Sequence, residues 1–189
     1  MTDKEIKNYL ESAKKQFAYY KLLAEKTFDQ IDEEKLFWAP NEESNSIDII
    51  VNHIAGNMKS RWTDFLTTDG EKDFRKRDQE FEDVIKTKKE MLVIWEAGWS
   101  ILFKALSQVN EDNFCQLVYI RNQGHSITEA TNRQLCHYAY HIGQIVFLGK
   151  VVAMKWNSLS IPKGESQNYN SKQFSKPKQK GHFTDDLMR

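Results

Sequence analysis

The sequence predicts an all-α fold, and three observations lead to that prediction. Glycine and proline are scarce in the 189-residue chain, with eight and three residues, so it has few of the turns that many short strands need. Four long segments repeat their apolar residues every three or four positions, which is the spacing of an amphipathic helix. Few stretches alternate apolar and polar residues as a half-buried strand would. Four helices with one apolar stripe each bury those stripes most simply in a four-helix bundle.

The first two predicted helices lie in the N-terminal third of the chain. The first covers roughly residues 3–30, where apolar positions recur from Ile6 to Phe28. The second covers roughly residues 46–66, with a stripe that begins at Ile47. Each stripe is wide enough to require a packing partner, so neither helix is expected to stand alone.

The third and fourth predicted helices follow the same rule. The third covers roughly residues 80–108, and its three-four spacing starts at Phe81. The fourth covers roughly residues 127–157. Ser126 and Glu129 form an S-x-x-E capping box, which marks the start of that helix.

The remaining segments are predicted to be connections and a tail. Residues 67–80 are highly charged, and a connection of this length would let helices two and three run parallel. Residues 109–126 are expected to form a loop of medium length. Residues 163–189 are rich in Lys, Ser, Gln and Asn, so this polar tail is expected to be mobile or laid over the surface. The bundle itself is assigned to residues 1–162.

Composition argues against several classes of function. Lys plus Arg and Asp plus Glu are 27 each, and zero net charge makes nucleic acid an unlikely partner. No apolar run reaches the roughly 18 residues of a membrane span. The N-terminus is charged from residue 3, which is not typical of a signal peptide. Cys115 and Cys136 lack metal-binding spacing, so free thiols in a reducing cytoplasm are expected.

Two histidines, His137 and His141, stand four residues apart in the segment HYAYH of the fourth predicted helix. Their Cβ atoms should lie about 6 Å apart on one face, so both imidazoles can reach one cation. His53 borders the apolar stripe of the second helix. Because bundle metal sites are built from side chains on facing helices, the three histidines are candidate metal ligands. The alternative is that they are ordinary residues at the edge of the core. Tyr138 stands where zinc peptidases have a catalytic glutamate, so peptide hydrolysis is not indicated.

Other polar residues are candidates for the surroundings of such a site. Side chains about one helical turn from a ligand could orient it, and these are Asn57, Arg133, Gln134 and Gln144. Tyr140 points either into the pocket or into solvent, and His125 either leans over the pocket or ends a loop. Four arginines either bind an anionic substrate or lie solvated at the surface: Arg61, Arg75, Arg77 and Arg121.

Two stretches of the sequence resemble the DinB/YfiT-like family. They are SIDIIVNHIAGNMKSRW, with a histidine early in helix two, and NRQLCHYAYHIGQIVFLGK, with the histidine pair followed by a G-Q-I run. The later stretch WNSLSIPKGES resembles an uncharacterised branch of that family. The likeness extends over about residues 1–165.

This resemblance implies more than the residue patterns do. It implies a four-helix bundle in up-down-down-up order and often a homodimer. It also implies a divalent ion, most often nickel or zinc, with manganese or iron as further candidates, at an open site formed by His53, His137 and His141. Some relatives transfer or isomerise with low-molecular-weight thiols such as bacillithiol or mycothiol. The expected function is therefore that of a metal-dependent thiol S-transferase or hydrolase acting on a small molecule. The alternative is a non-catalytic stress-response or binding protein that uses the bundle as a scaffold.

Overall fold

The computed structural model describes residues 2–187, and these are mostly helical. A small antiparallel sheet of two strands, β1 at Leu117–Ile120 and β2 at Gln123–Ser126, directly precedes the fourth helix. The α-helices are α1 at Asp3–Phe28, α2 at Ile47–Trp62, α3 at Lys88–Ser107, α4 at Ile127–Val152 and α5 at Ser166–Phe174. The four long helices thus occur in the four segments where apolar periodicity predicts them. No helix among residues 2–187 is both long and apolar enough to cross a membrane.

Side-chain caps set where the long helices begin. The predicted capping box of α4 is confirmed, because Ser126 accepts from the backbone N–H of Glu129 and the Glu129 carboxylate accepts from the Ser126 N–H. Thr2 and Glu5 form an equivalent box at the start of α1. Each box pairs backbone donors that the first turn of a helix would otherwise leave unsatisfied.

The core lies between the four long helices. Helix α1 packs against α3 and α4, and α2 packs against the same two helices. Phe17, Trp99 and Tyr138 meet at the centre, where the Tyr138 ring lies 5.8 Å from Phe17 and 6.0 Å from Trp99. All three are at most 1% exposed. The contacts agree with an all-α fold, while the up-down-down-up order stays a prediction.

Helix α3 begins at Lys88, so the prediction that it starts near residue 80 is wrong. Thr87 caps the helix by accepting from the backbone N–H of Glu90. The preceding residues contain a separate 3₁₀ helix at Arg77–Phe81. Ile85 is a core residue, 2% exposed, but it lies in the connection before α3. Its position in the sequence fits the apolar spacing of a helix, which explains the early predicted start.

The segment 109–126 contains a β-hairpin, which the sequence reasoning treated as a plain loop. Ile120 pairs with Gln123, so Arg121 and Asn122 alone make the turn. Both have positive φ, 55° and 61°, as a two-residue type I′ turn requires. The Asp69 carboxylate accepts from the N–H groups of both turn residues, at 2.8 and 2.7 Å. The pattern was missed because glycine follows the turn instead of occupying it.

The polar C-terminal segment lies partly against α1. His182 Nε2 is 3.1 Å from Ser12 Oγ, Thr184 is fully buried, and Asp185 forms an ion pair with Lys15. Helix α5, by contrast, buries none of its residues. The mobility of this segment stays a prediction.

Candidate metal centre

Three histidines from two helices converge on one point. His53 comes from α2, and His137 and His141 come from successive turns of α4. Their potential ligand atoms all lie within 4.8 Å of one another. His137 Nε2 is 3.4 Å from His53 Nε2 and 3.1 Å from His141 Nε2. Two nitrogens bound tetrahedrally to one zinc ion at about 2.0–2.1 Å would lie about 3.3 Å apart. The cluster is therefore compatible with a divalent metal ion.

Hydrogen bonds at the far side of two rings direct their lone pairs toward this point. Glu80 Oε2 lies 3.0 Å from His53 Nδ1, and an ionised carboxylate can only accept, so Nδ1 carries the proton. Gln144 Oε1 accepts in the same way from His141 Nδ1 at 2.8 Å. With this tautomer the neutral form of each ring has its lone pair on Nε2, the atom that faces His137. This is the arrangement by which neighbouring groups orient metal-binding histidines.

His137 differs because its Nδ1 is buried without a hydrogen-bond partner. Burial is the main cause that lowers the pKa of His137 to about 3, and the neighbouring His141 and His53 lower it further. The positive charges of Arg61 and Arg75 act in the same direction. The ring is therefore neutral at neutral pH, which is the form that binds a metal.

A buried ion pair stands behind His53. Glu80 is 7% exposed, and its two oxygens accept from Arg75 Nε and Nη2, both at 2.8 Å. Burial opposes ionisation of Glu80, but the hydrogen bonds from Arg75 and His53 outweigh it and the pKa of this carboxyl is lowered. The carboxylate therefore stays charged and accepts from His53, so that Arg75, Glu80 and His53 form one chain of charge-assisted contacts.

The approach of Glu80 to α2 depends on a glycine. A Cβ atom at Gly56 would lie 2.5 Å from Glu80 Oε1, which is too close for the carboxylate to remain in place. Phe81, which follows Glu80 in the chain, stacks on the His53 ring with 4.7 Å between the ring centroids. The short 3₁₀ helix thus fixes both the edge and the face of one candidate ligand.

A cavity of about 220 Å³ opens beside the cluster. Within residues 2–187, no acidic residue lines it. Its walls are formed by His53, Asn57, Arg61, Arg75, Arg77, Arg121, Arg133, Gln134 and His137. The candidate metal position is therefore reached from the side of His53 and His137, through a positively charged space.

The structure brings most of the other candidate residues to this region. Asn57, Arg133 and Gln134 line the cavity, and Gln144 holds His141. The Asn57 oxygen accepts from the hydroxyl of Tyr138 at 3.0 Å, so it is also tied to the core.

Two candidates lie outside the cavity walls. Tyr140 is 64% exposed, and its ring lies 5.0 Å from that of His141. His125 is half-buried in strand β2, with its Nε2 3.3 Å from a guanidinium nitrogen of Arg133. It therefore contacts a wall residue without reaching the histidine cluster.

Sequence reasoning missed Glu80 and the pairing of Arg75 with it. Both lie in a connection whose position relative to α2 is not encoded in any local spacing. The one available signal was Gly56 in HIAGN, because an isolated glycine inside a helix indicates that another group approaches closely.

The fold and the cluster define a class: a helical protein in which three histidines from two helices are arranged to suit a divalent ion. Comparison with known protein families identifies the family of this chain. It belongs to the family described as "Protein of unknown function (DUF1572)", which matches residues 4–165 and is DinB/YfiT-like, as the two histidine-containing stretches indicate. Neither the curated proteins nor the solved structures contain a match to this chain. Membership in the family assigns no activity.

Proposed function

We propose that this protein is a metal-dependent enzyme of the DinB/YfiT-like type, with its long helices in the up-down-down-up order of that fold. Its reaction is a thiol S-transfer or a hydrolysis on a small molecule. The observation that supports this most directly is the convergence of three Nε2 atoms beside a cavity. His53, His137 and His141 are the proposed ligands.

The donor set favours an open site. The cluster found among residues 2–187 contains three potential ligands, whereas structural zinc sites are usually closed by four. Two of the three histidines also line the cavity, so a small molecule there lies next to the proposed metal position. Neutral imidazoles suit zinc and nickel, the two preferred ions, and also bind iron, while manganese prefers oxygen ligands.

The chain's own residues prepare this site. Glu80 and Gln144 hold two rings in the orientation that directs Nε2 toward the ion, and burial keeps His137 neutral. Held by these residues, a divalent ion would bring the pKa of a bound water near neutrality and would deprotonate a bound thiol, so that either could act as a nucleophile at physiological pH. Asn57 and Gln134 offer amide groups in the cavity wall that can orient the second reactant.

The test is an activity screen with loaded protein. The wild type and His137→Ala, each incubated with zinc or nickel, are assayed with low-molecular-weight thiols and an electrophile, and with ester substrates. We expect metal-dependent turnover in the wild type that is absent in the variant. Equal rates in both proteins, or none with either ion, would count against the proposal.

A non-catalytic scaffold is the second candidate, because one face of α4 exposes an apolar stripe. The stripe is formed by Tyr140, Phe147 and Val151, and Met154 follows just after the helix ends; each is more than half exposed. Such a stripe is typical of an interaction surface, and we propose that it supports the homodimer expected for this family. Sedimentation that shows only the 22.2 kDa monomer at micromolar concentration would reject the dimer. A cytoplasmic location is part of the same proposal.

A further inference from the structure

The arginines of this chain are concentrated in one place. The sequence contains six arginines, and five of them line the cavity beside the histidine cluster. The sixth, Arg189, lies outside the described residues. None of the 21 lysines lines this cavity. Such a separation of the two basic residue types indicates a requirement for the guanidinium group and not only for positive charge.

The cavity keeps an excess of positive charge after its ion pairs are counted. Glu71 pairs with Arg61, Arg75 and Arg121, and Glu80 pairs with Arg75. Five guanidinium groups therefore share two carboxylates. Within residues 2–187, Arg77 and Arg133 have no carboxylate partner. Arg77 lies over the Phe81 ring, and Arg133 contacts His125.

Two wall residues are buried with an unused hydrogen-bonding atom. Arg61 is 8% exposed, and its Nε donor has no acceptor within the described chain. Gln134 is 4% exposed, and its Oε1 acceptor has no donor there. Leaving buried polar atoms unpaired costs free energy, so two such residues in the wall of one cavity are consistent with a ligand that pairs with them there.

The chemistry of these groups selects the ligand. A guanidinium presents a planar fork of donors that matches carboxylate and phosphate oxygens in pairs, which a lysine ammonium cannot do. At about 220 Å³ the cavity is smaller than the roughly 300 Å³ at which drug-sized pockets begin, so it suits one charged group and a few further atoms.

We propose that the five-arginine cavity is an oxyanion subsite that binds the carboxylate or phosphate group of a small-molecule substrate. This inference deepens the proposed function, on which its catalytic meaning rests, because His53 and His137 belong to the same wall. The anion is held by Arg61, Arg77 and Arg133, and the rest of the molecule extends toward the proposed metal position. Anion binding itself requires no metal.

A small molecule fits better than a nucleic acid. The arginines line a recess of limited volume, whereas duplex binding needs a basic surface that follows many phosphates. The chain as a whole has zero net charge, which offers no such surface.

The test is calorimetric titration of metal-free protein with inorganic phosphate and with succinate, with glycerol as an uncharged control. The variants are Arg77→Gln, Arg77→Lys, Arg133→Gln and the matched control Lys76→Gln. Lys76 is the exposed neighbour of Arg77 and is outside the cavity wall. We expect both anions to bind and glycerol not to bind. Either arginine-to-glutamine change should weaken anion binding on the order of tenfold, the loss of one charge-assisted hydrogen bond. Arg77→Lys should restore only part of it, and Lys76→Gln should match the wild type.

Absence of binding by both anions at millimolar concentration in the folded wild type would overturn the inference. So would an equal loss in Lys76→Gln and Arg77→Gln, or binding of a DNA duplex without binding of either anion. Titrating zinc into the same metal-free protein, in parallel with succinate, separates the two proposals. Anion binding without metal uptake rejects the proposed function alone, and metal uptake without anion binding rejects the subsite alone.

Discussion

The two helices that supply the histidines support them in different ways. On α4, His137 and His141 are one turn apart, and Gln144, which holds His141, is in the same helix. On α2, His53 depends on Glu80 from a connecting segment, 27 residues further along the chain. One side of the site is local and neutral, and the other is long-range and charged. Two ligands of one cluster can therefore depend on interactions of very different strength.

Metal binding should depend more on the charged side of the site, where Glu80 holds His53, than on the neutral side. Glu80→Gln replaces a carboxylate with a neutral amide, which cannot form an ion pair with Arg75 and offers one acceptor oxygen where Glu80 has two. We expect metal affinity to fall by about 10–100-fold, as is typical when the group behind a ligand histidine is lost. The free energy of unfolding should also fall by about 3–5 kcal/mol, because the buried guanidinium of Arg75 loses the nearer of its two carboxylate partners. Competition with a chelating dye measures the first change, and denaturant unfolding the second.

Glu71→Gln is the matched control for that variant. Glu71 also contacts Arg75, but it bonds to none of the three histidines. We expect this change to reduce stability and to leave metal affinity within about twofold of the wild type. If both variants bind metal as tightly as the wild type, the Glu80 carboxylate does not support His53 through their hydrogen bond.

Gly56→Ala tests the same side by displacing Glu80 and not removing it. The new methyl group would occupy the position of the carboxylate, so we expect metal affinity to fall by about tenfold. Alanine is the better helix former by about 1 kcal/mol, which offsets part of the strain. Gly143→Ala on α4 is the control, because its Cβ would meet nothing within 4 Å. Weaker metal binding in the control than in Gly56→Ala would contradict this explanation.

Gln144→Ala should lower metal affinity less than Glu80→Gln or Gly56→Ala does. It removes a neutral acceptor from His141, which is only partly buried, so water can take the place of the lost oxygen. We expect a loss in metal affinity of about threefold, since bonds to neutral groups are roughly half as strong as those to charged ones. An effect larger than that of Glu80→Gln would reverse the proposed ranking of the two sides.

The sequence predicts well those features that depend on residues close to one another in the chain. Apolar spacing located the four long helices, and the i,i+4 spacing placed His137 and His141 on one face of α4. The segment 67–87 was less predictable because its structure depends on contacts with α2, such as those of Glu80 with His53. Ile85 likewise mimicked a helical stripe while packing in an extended connection. The sequence marks Arg61, Arg75, Arg77 and Arg121 as candidate anion-binding residues, but it does not predict that they converge, since the cavity collects residues from α2, α4, the hairpin and the connection.

Metal content, measured by elemental mass spectrometry, shows directly whether the three histidines bind a metal ion. Untagged wild type and His137→Ala are purified without added metal or nickel resin, and circular dichroism checks that the variant is folded. We expect about one divalent ion per chain in the wild type and almost none in the variant. Metal-free wild type that takes up no nickel, zinc, manganese or iron on titration would contradict it, and the three histidines would then be ordinary residues at the edge of the core.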